Sequence, residues 1–135
     1  MPAKNLYASD FYSIEIDTEQ NILRSRWLRS VNCEEMVTGG TKLYESLLDT
    51  GAELVVANAQ LLCNLDTETK EWMSSGFYEL LSLTRLRRIA RVLPANVFSK
   101  IALESVATRA EASGAAKFSF RNFVDQQEAE KWLLS

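Results

Sequence analysis

The 135-residue chain contains no histidine. That absence excludes Ser-His-Asp and Cys-His catalysis, imidazole acid–base work near neutral pH and every metal site that needs a His ligand. Cysteine is almost as scarce. Cys33 and Cys63 form no CxxC pair and make no metal site by themselves. No window approaches the ~18–20 continuous apolar residues of a membrane span, and the longest apolar run, residues 54–57, is strand-sized. Basic residues are not in excess: 15 Lys and Arg stand against 18 Asp and Glu, a net charge of −3, which leaves no electrostatic footprint for nucleic acid. Residues 1–10 hold no apolar run, so they read as a flexible N-terminal segment and not as a signal peptide. These absences predict a cytoplasmic protein with reduced thiols, no bound metal and no cofactor.

What is present fits one globular domain over residues 1–135. The length suits a single core, and 47% hydrophobic with 24% charged residues is ordinary for such a domain. Residues 11–17 alternate, with Tyr12, Ile14 and Ile16 on one face and Ser13, Glu15 and Asp17 on the other. Residues 22–29 alternate again, Leu23, Ser25 and Trp27 against Arg24, Arg26 and Leu28. The two runs predict a β-hairpin across the polar turn 18–21.

Asn32 with Glu35 three residues later forms a capping box for a helix that Gly51 ends. Gly40 falls on the apolar stripe of that helix, which predicts close packing against a strand. Residues 54–59 are the near-continuous apolar run of a covered strand. Asp66 or Thr67 caps the next helix, residues 87–93 form a strand stopped by Pro94, and residues 97–112 form a helix ended by Gly114. Residues 117–123 alternate as a last strand, and Asp125 with Glu128 is a capping box for a final helix. The order β-β-α-β-α-β-α-β-α predicts an α/β fold: a mixed five-stranded sheet, an N-terminal hairpin followed by β-α repeats with parallel strands, and four main helices.

This order, with Trp27, residues 54–58, Trp72, the Arg87-Arg88-Ile89-Ala90-Arg91-Val92 strand and the closing Phe118-Ser119-Phe120-Arg121-Asn122-Phe123 tract, resembles the SpoIIAA-like fold. That fold is shared by STAS domains, which are anti-sigma-factor antagonists, and by CRAL-TRIO lipid-binding domains. More narrowly the chain is similar to small bacterial STAS/SEC14-like proteins. The resemblance implies a non-enzymatic regulatory or protein-interaction domain that forms a homodimer or binds another protein partner or, alternatively, a module for a small apolar or lipid-like ligand. Antagonist STAS domains carry an Asp at the end of the first parallel strand and, eight residues on, an Asp-Ser-Ser-Gly tract with a phosphorylated hydroxyl. Here Asn58 and Asp66 have that spacing, Glu68 stands at the place of the phosphorylated hydroxyl, and Thr67 is the hydroxyl left in the core of the tract. Glu68 either mimics the modified state or is ordinary first-turn dipole chemistry.

Ligands of open α/β sheets gather beyond the carboxyl ends of parallel strands. That rim would hold Asn58, Gln60, Cys63, Asp66, Thr67, Glu68 and Asn96, amides and hydroxyls with few acid–base pairs. Cys63 has no histidine to serve it as a base. A basic cluster of Arg87, Arg88 and Arg91 is a candidate contact for a phosphate or an acidic partner. The expected function is therefore binding without catalysis.

Overall fold

The chain is described from a computed structural model over residues 3–135. The two alternating runs form an antiparallel pair, β2 (Tyr12–Asp17) and β3 (Ile22–Trp27), in register from Tyr12 opposite Trp27 to Asp17 opposite Ile22. Asn21 closes the turn at φ 56°, a left-handed conformation that its short polar side chain tolerates. The Asp17 carboxylate accepts the Glu19 and Gln20 N–H groups at 3.0 and 3.1 Å, which holds the turn from inside.

The N-terminal stretch departs from expectation. It forms a strand, β1 (Ala3–Ala8), antiparallel to β2 with an irregularity between Asn5 and Tyr7. The sheet accordingly has six strands and not five. Leu6 and Tyr7 pack against the core, and the Tyr7 ring lies 6.4 Å from that of Tyr12. Two adjacent apolar residues carry no period, so alternation could not show this strand in advance.

The parallel part follows as β4 (Leu54–Asn58), β5 (Arg88–Val92) and β6 (Ser119–Phe123), with β3 to β6 mutually parallel and strand order equal to chain order. Helices fill the crossovers. The capping box of α1 (Cys33–Thr50) forms as expected: Asn32 Oδ1 accepts the Glu35 N–H at 2.8 Å, and Glu35 accepts the Asn32 N–H at 3.1 Å. Gly51 ends it at φ 67°. Asp66 caps α2 (Thr67–Trp72), which continues through a π-helical turn (Met73–Phe77) into α3 (Tyr78–Leu81). Asn96 caps α4 (Val97–Ser113), and Gly114 ends it at φ 77°. At α5 (Gln126–Leu133) Asp125 accepts the Gln127 N–H at 3.2 Å, a single-residue cap where a capping box was expected. Counting α2, the π turn and α3 as one segment leaves the four helical units that the sequence predicted.

Three of those units share one sheet face. Their core joins Met36, Leu43 and Leu47 of α1, Phe77, Tyr78 and Leu81 of the middle segment and Leu103 and Val106 of α4 to Ile14, Leu23, Val55 and Ile89 of the sheet. The opposite face is covered by α5 alone, through Ala129 and Leu133 on Ile22, Val56, Ala90 and Val92.

Two adjacent glycines set how closely α1 approaches. A Cβ on Gly39 would stand 2.6 Å from the Trp27 ring and 3.0 Å from Tyr12, both on the sheet. A Cβ on Gly40 would stand 2.6 Å from Trp72 and 3.0 Å from Phe77. The strand contact expected of Gly40 therefore belongs to Gly39, while Gly40 receives the aromatic pair of the neighbouring helical segment. The one-residue offset reflects the ~100° turn between successive helix positions. Leucine at either position should overpack a ring contact and lower unfolding free energy by about 1–3 kcal/mol in denaturant titrations. A glycine with open space around it would instead gain stability from the better helix former.

Candidate functional site

The rim expected at the carboxyl ends of the strands does not assemble into one pocket. Asn58 is turned to the α5 face and buried. Its Nδ2 donates to Gln126 Oε1 at 2.7 Å and to Gln60 Oε1 at 3.1 Å, and its Oδ1 accepts the Gln60 N–H at 3.0 Å. Asn58 and Gln60 thus form an anchor for the start of α5. Asp66 is occupied as the cap of α2, its carboxyl held below the usual carboxylate range by the Thr69 N–H. Thr67 and Glu68 are exposed in the first turn of that helix. Cys63 Sγ lies 2.6 Å from Ser30 Oγ, and the same hydroxyl accepts the Cys63 N–H at 3.2 Å, so Cys63 ties the loop after β4 to the connection between β3 and α1. Both cysteines are free. Burial pushes the Cys33 thiol up, with Thr69 opposing.

Only Cys63 and Asn96 of the predicted rim line a common groove. It holds about 480 Å³ between the loop after β4 and the first turns of α4, with Asn64, Leu65, Lys70 and Phe98 as further walls.

The three arginines also separate. Arg87 is exposed and pairs with Glu53. Arg88 lies over the Trp132 ring at 5.3 Å and donates to the Trp132 carbonyl at 3.0 Å and the Ser135 carbonyl at 3.2 Å, where a cation suits the helix C-terminus. Arg91 points to the opposite, helix-covered face and is buried, with Nη2 donating to the Leu103 carbonyl of α4 at 2.7 Å. They make no joint surface for a phosphate or an acidic partner, because strand alternation sends Arg88 and Arg91 to different layers.

The most connected polar system was not singled out from the sequence. On the face that α5 covers, Arg24 of β3 donates to Glu130 of α5 through Nη2 at 2.8 Å and to Asp17 at 3.2 Å. Gln126 Nε2 donates to Glu130 Oε2 at 3.2 Å and so joins this trio to Asn58. A groove of about 490 Å³ runs beside it over the hairpin, lined by Asn5, Ser13, Glu15, Arg24, Arg26 and Gln126. The Arg24 guanidinium holds the Glu130 carboxyl below its ordinary value, and the N–H of Gln20 is the first cause of a lowered Asp17. In the sequence these groups lie 106 residues apart, which no local pattern spans.

Among the described residues, no group of three or more Cys, Asp or Glu side chains is placed to hold a metal ion, and no helix is long and apolar enough to cross a membrane. No family model matches the chain, and no curated protein matches it. The architecture does have a counterpart. It is similar to the crystal structure of an uncharacterized protein of the DUF3478 family, with a SpoIIAA-like fold, from Shewanella loihica PV-4. The TM-score is 0.56 at 18% identity, over 94% of this chain and 98% of that one. The chain has a SpoIIAA-like fold, as its element order and aromatic tracts led one to expect.

The Arg24–Glu130 contact sets a pH dependence. A carboxyl lowered in the folded state contributes stability that is present above its unfolded pKa of about 4.3 and is lost as pH falls through the lower folded value. The melting temperature should therefore drop on acidification below about pH 5. Glu130→Gln should flatten that acid limb while costing stability at pH 7. Parallel acid limbs in the two proteins would show that the pair contributes nothing.

Proposed function

We propose that the chain is a binding domain that acts through protein contacts and not through catalysis, and that it pairs with a second copy of itself. The observation that carries this reading is an apolar ridge at the start of α4. Val97, Phe98 and Ile101 are 62%, 82% and 56% exposed. Large apolar side chains scattered singly need no explanation, but three within five residues on one helix do.

The ridge stands between two grooves. One is the 480 Å³ groove by Cys63 and Asn96, in which Phe98 is itself a wall. The other holds about 420 Å³ and carries both charge signs, Lys100 and Arg121 with Glu104, Asp125 and Glu128. A ridge beside grooves on one face suits a two-fold contact, in which each copy's ridge meets the other's groove. Mixed charge around the ridge suits it as well, since each copy brings both partners of every cross-pair.

The reading against catalysis rests on the residues. The chain has no histidine. The Cys63 thiol is in contact with a serine and an asparagine, neither of which is a base at neutral pH. The lipid-like alternative has less support. The apolar space enclosed between the sheet and its helices measures about 40 Å³, against roughly 300 Å³ or more for an ordinary ligand pocket.

Sedimentation velocity over a concentration series should give a dimer for the wild-type chain. Phe98→Asp and Ile101→Asp should give a monomer with a melting temperature within a few degrees of the parent, because both side chains are exposed. A wild-type monomer at high concentration would sink the proposal.

A further inference from the structure

The helix-rich face of the sheet holds a row of polar side chains inside the core. Strand register places Ser25 beside Ala57, Ala57 beside Arg91 and Arg91 beside Asn122. Ser25 and Arg91 are 2% and 7% exposed. Two atoms of this row, Arg91 Nη1 and Asn122 Oδ1, are buried without a hydrogen-bond partner among the described residues, and the Ser25 hydroxyl has only that of Tyr12 facing it. A guanidinium is a permanent cation. Here its one recorded bond goes to the neutral Leu103 carbonyl, and no carboxylate lies within ion-pair distance among the described residues.

Beside this cation lies the space of about 40 Å³, walled by Ser25, Ala57 and Arg91 below and by Leu43, Phe77 and Leu103 above. Two strand spacings put the Ser25 and Arg91 backbones roughly 9–10 Å apart. Ala57, the smallest side chain of the row, leaves the gap between them open. Part of the roof is the π-helical turn, whose two end residues, Met73 and Phe77, both line the space. Such turns recur at functional sites because they re-aim side chains without breaking the helix.

We infer that this space is a binding site for one small monovalent anion, of halide to acetate size. Arg91 Nη1 supplies the charge and two N–H donors, and the Ser25 hydroxyl supplies a further donor. The volume admits a few non-hydrogen atoms, since a single water needs about 10–15 Å³ on the same measure. Apart from Ser25, Arg91 and the tyrosines Tyr12 and Tyr78 the walls are apolar, so the anion would be stripped of most of its water, which strengthens its contact with the guanidinium. A free small anion and the carboxylate end of a short acid offer the same chemistry to Arg91. The site is independent of the α4 ridge and of pairing between copies.

The test is thermal unfolding of the whole chain at constant ionic strength, with sodium gluconate, whose anion is too large for the space, exchanged stepwise for chloride, bromide, formate or acetate. The expected result is a midpoint that rises by about 4–7 °C for each tenfold increase of the fitting anion above its Kd. A response to halides alone identifies a free-anion site, and a response to formate and acetate identifies a carboxylate site; either outcome supports the inference. Arg91→Met should remove the response, and Ala57→Val should remove it by filling the space while keeping the cation. The second variant keeps the test decisive if the first does not fold. Crystals grown in bromide should show an anomalous peak at hydrogen-bond distance from Arg91 Nη1. A midpoint indifferent to anion identity, with no bromide peak, would overturn the inference and leave water as the occupant.

Discussion

The approach of α1 to two stacked aromatic pairs sets the spacing of the whole helix-rich layer. Gly39 rests on the Tyr12–Trp27 stack, whose centroids are 3.9 Å apart, and Gly40 on the Trp72–Phe77 stack, at 5.3 Å. One pair belongs to the sheet and the other to the neighbouring helical segment, so the two glycines fix α1 against both at once. Any side chain there would lift the helix off one stack or the other. The geometry then propagates. Trp72 and Phe77 bracket the π-helical turn, which widens the helix where Phe77 must reach Gly40 and Met73 must reach the sheet. Close packing normally tolerates few voids. A small space in this layer lies where Ala57 is too short to meet the roof that those aromatic contacts hold in place.

The opposite face is built on a different principle. A single eight-residue helix cannot cover six strands, so apolar contact there falls on β3 to β6, with Phe123 of β6 packed beside Trp132, and leaves β1 and β2 out. Beyond Ile22 the exposed hairpin face turns polar, and α5 is fastened to it by Arg24, which reaches Glu130 from the strand below. Surface ion pairs contribute little singly. This one is half-buried and shares its guanidinium with Asp17, and Gln126 extends it to Asn58, so the connected set orients α5 along its whole inner edge. Arg88 does the corresponding work at the helix's other end by holding its last carbonyls.

Most of the fold was legible in the sequence because local rules and tertiary demands agree. The hairpin register follows from alternation at Tyr12, Ile14 and Ile16 against Leu23, Ser25 and Trp27. The ends of α1 follow from Asn32, Glu35 and Gly51. The strand β1 was not legible, since Leu6 and Tyr7 are too few to show a period. Gly40 was assigned the neighbour that Gly39 has, an error of one helix position, because a stripe of apolar residues marks a buried face without saying which element lies on each flank. The predicted rim is divided between layers for a related reason. Topology places Asn58, Cys63, Asp66 and Asn96 at one end of the sheet, yet Asn58 faces the α5 layer while the others serve the layer of three helices. The sequence did carry one signal that alternation exposes. Ser25 and Arg91 occupy inward positions between Leu23 and Trp27 and beside Ile89, where a polar residue needs a reason.

That reason bears on α4. Burying a guanidinium costs several kcal/mol unless its charge is answered, and one backbone carbonyl answers it only in part. An apolar residue of similar length at Arg91 would pack against the same neighbours without that cost. What it could not do is hold Leu103, and through it the middle of α4, by a charge-assisted bond of 2.7 Å. The same helix presents Val97, Phe98 and Ile101 at its first turns. The buried cation of β5 thus fastens from beneath the helix whose first turns carry the exposed ridge.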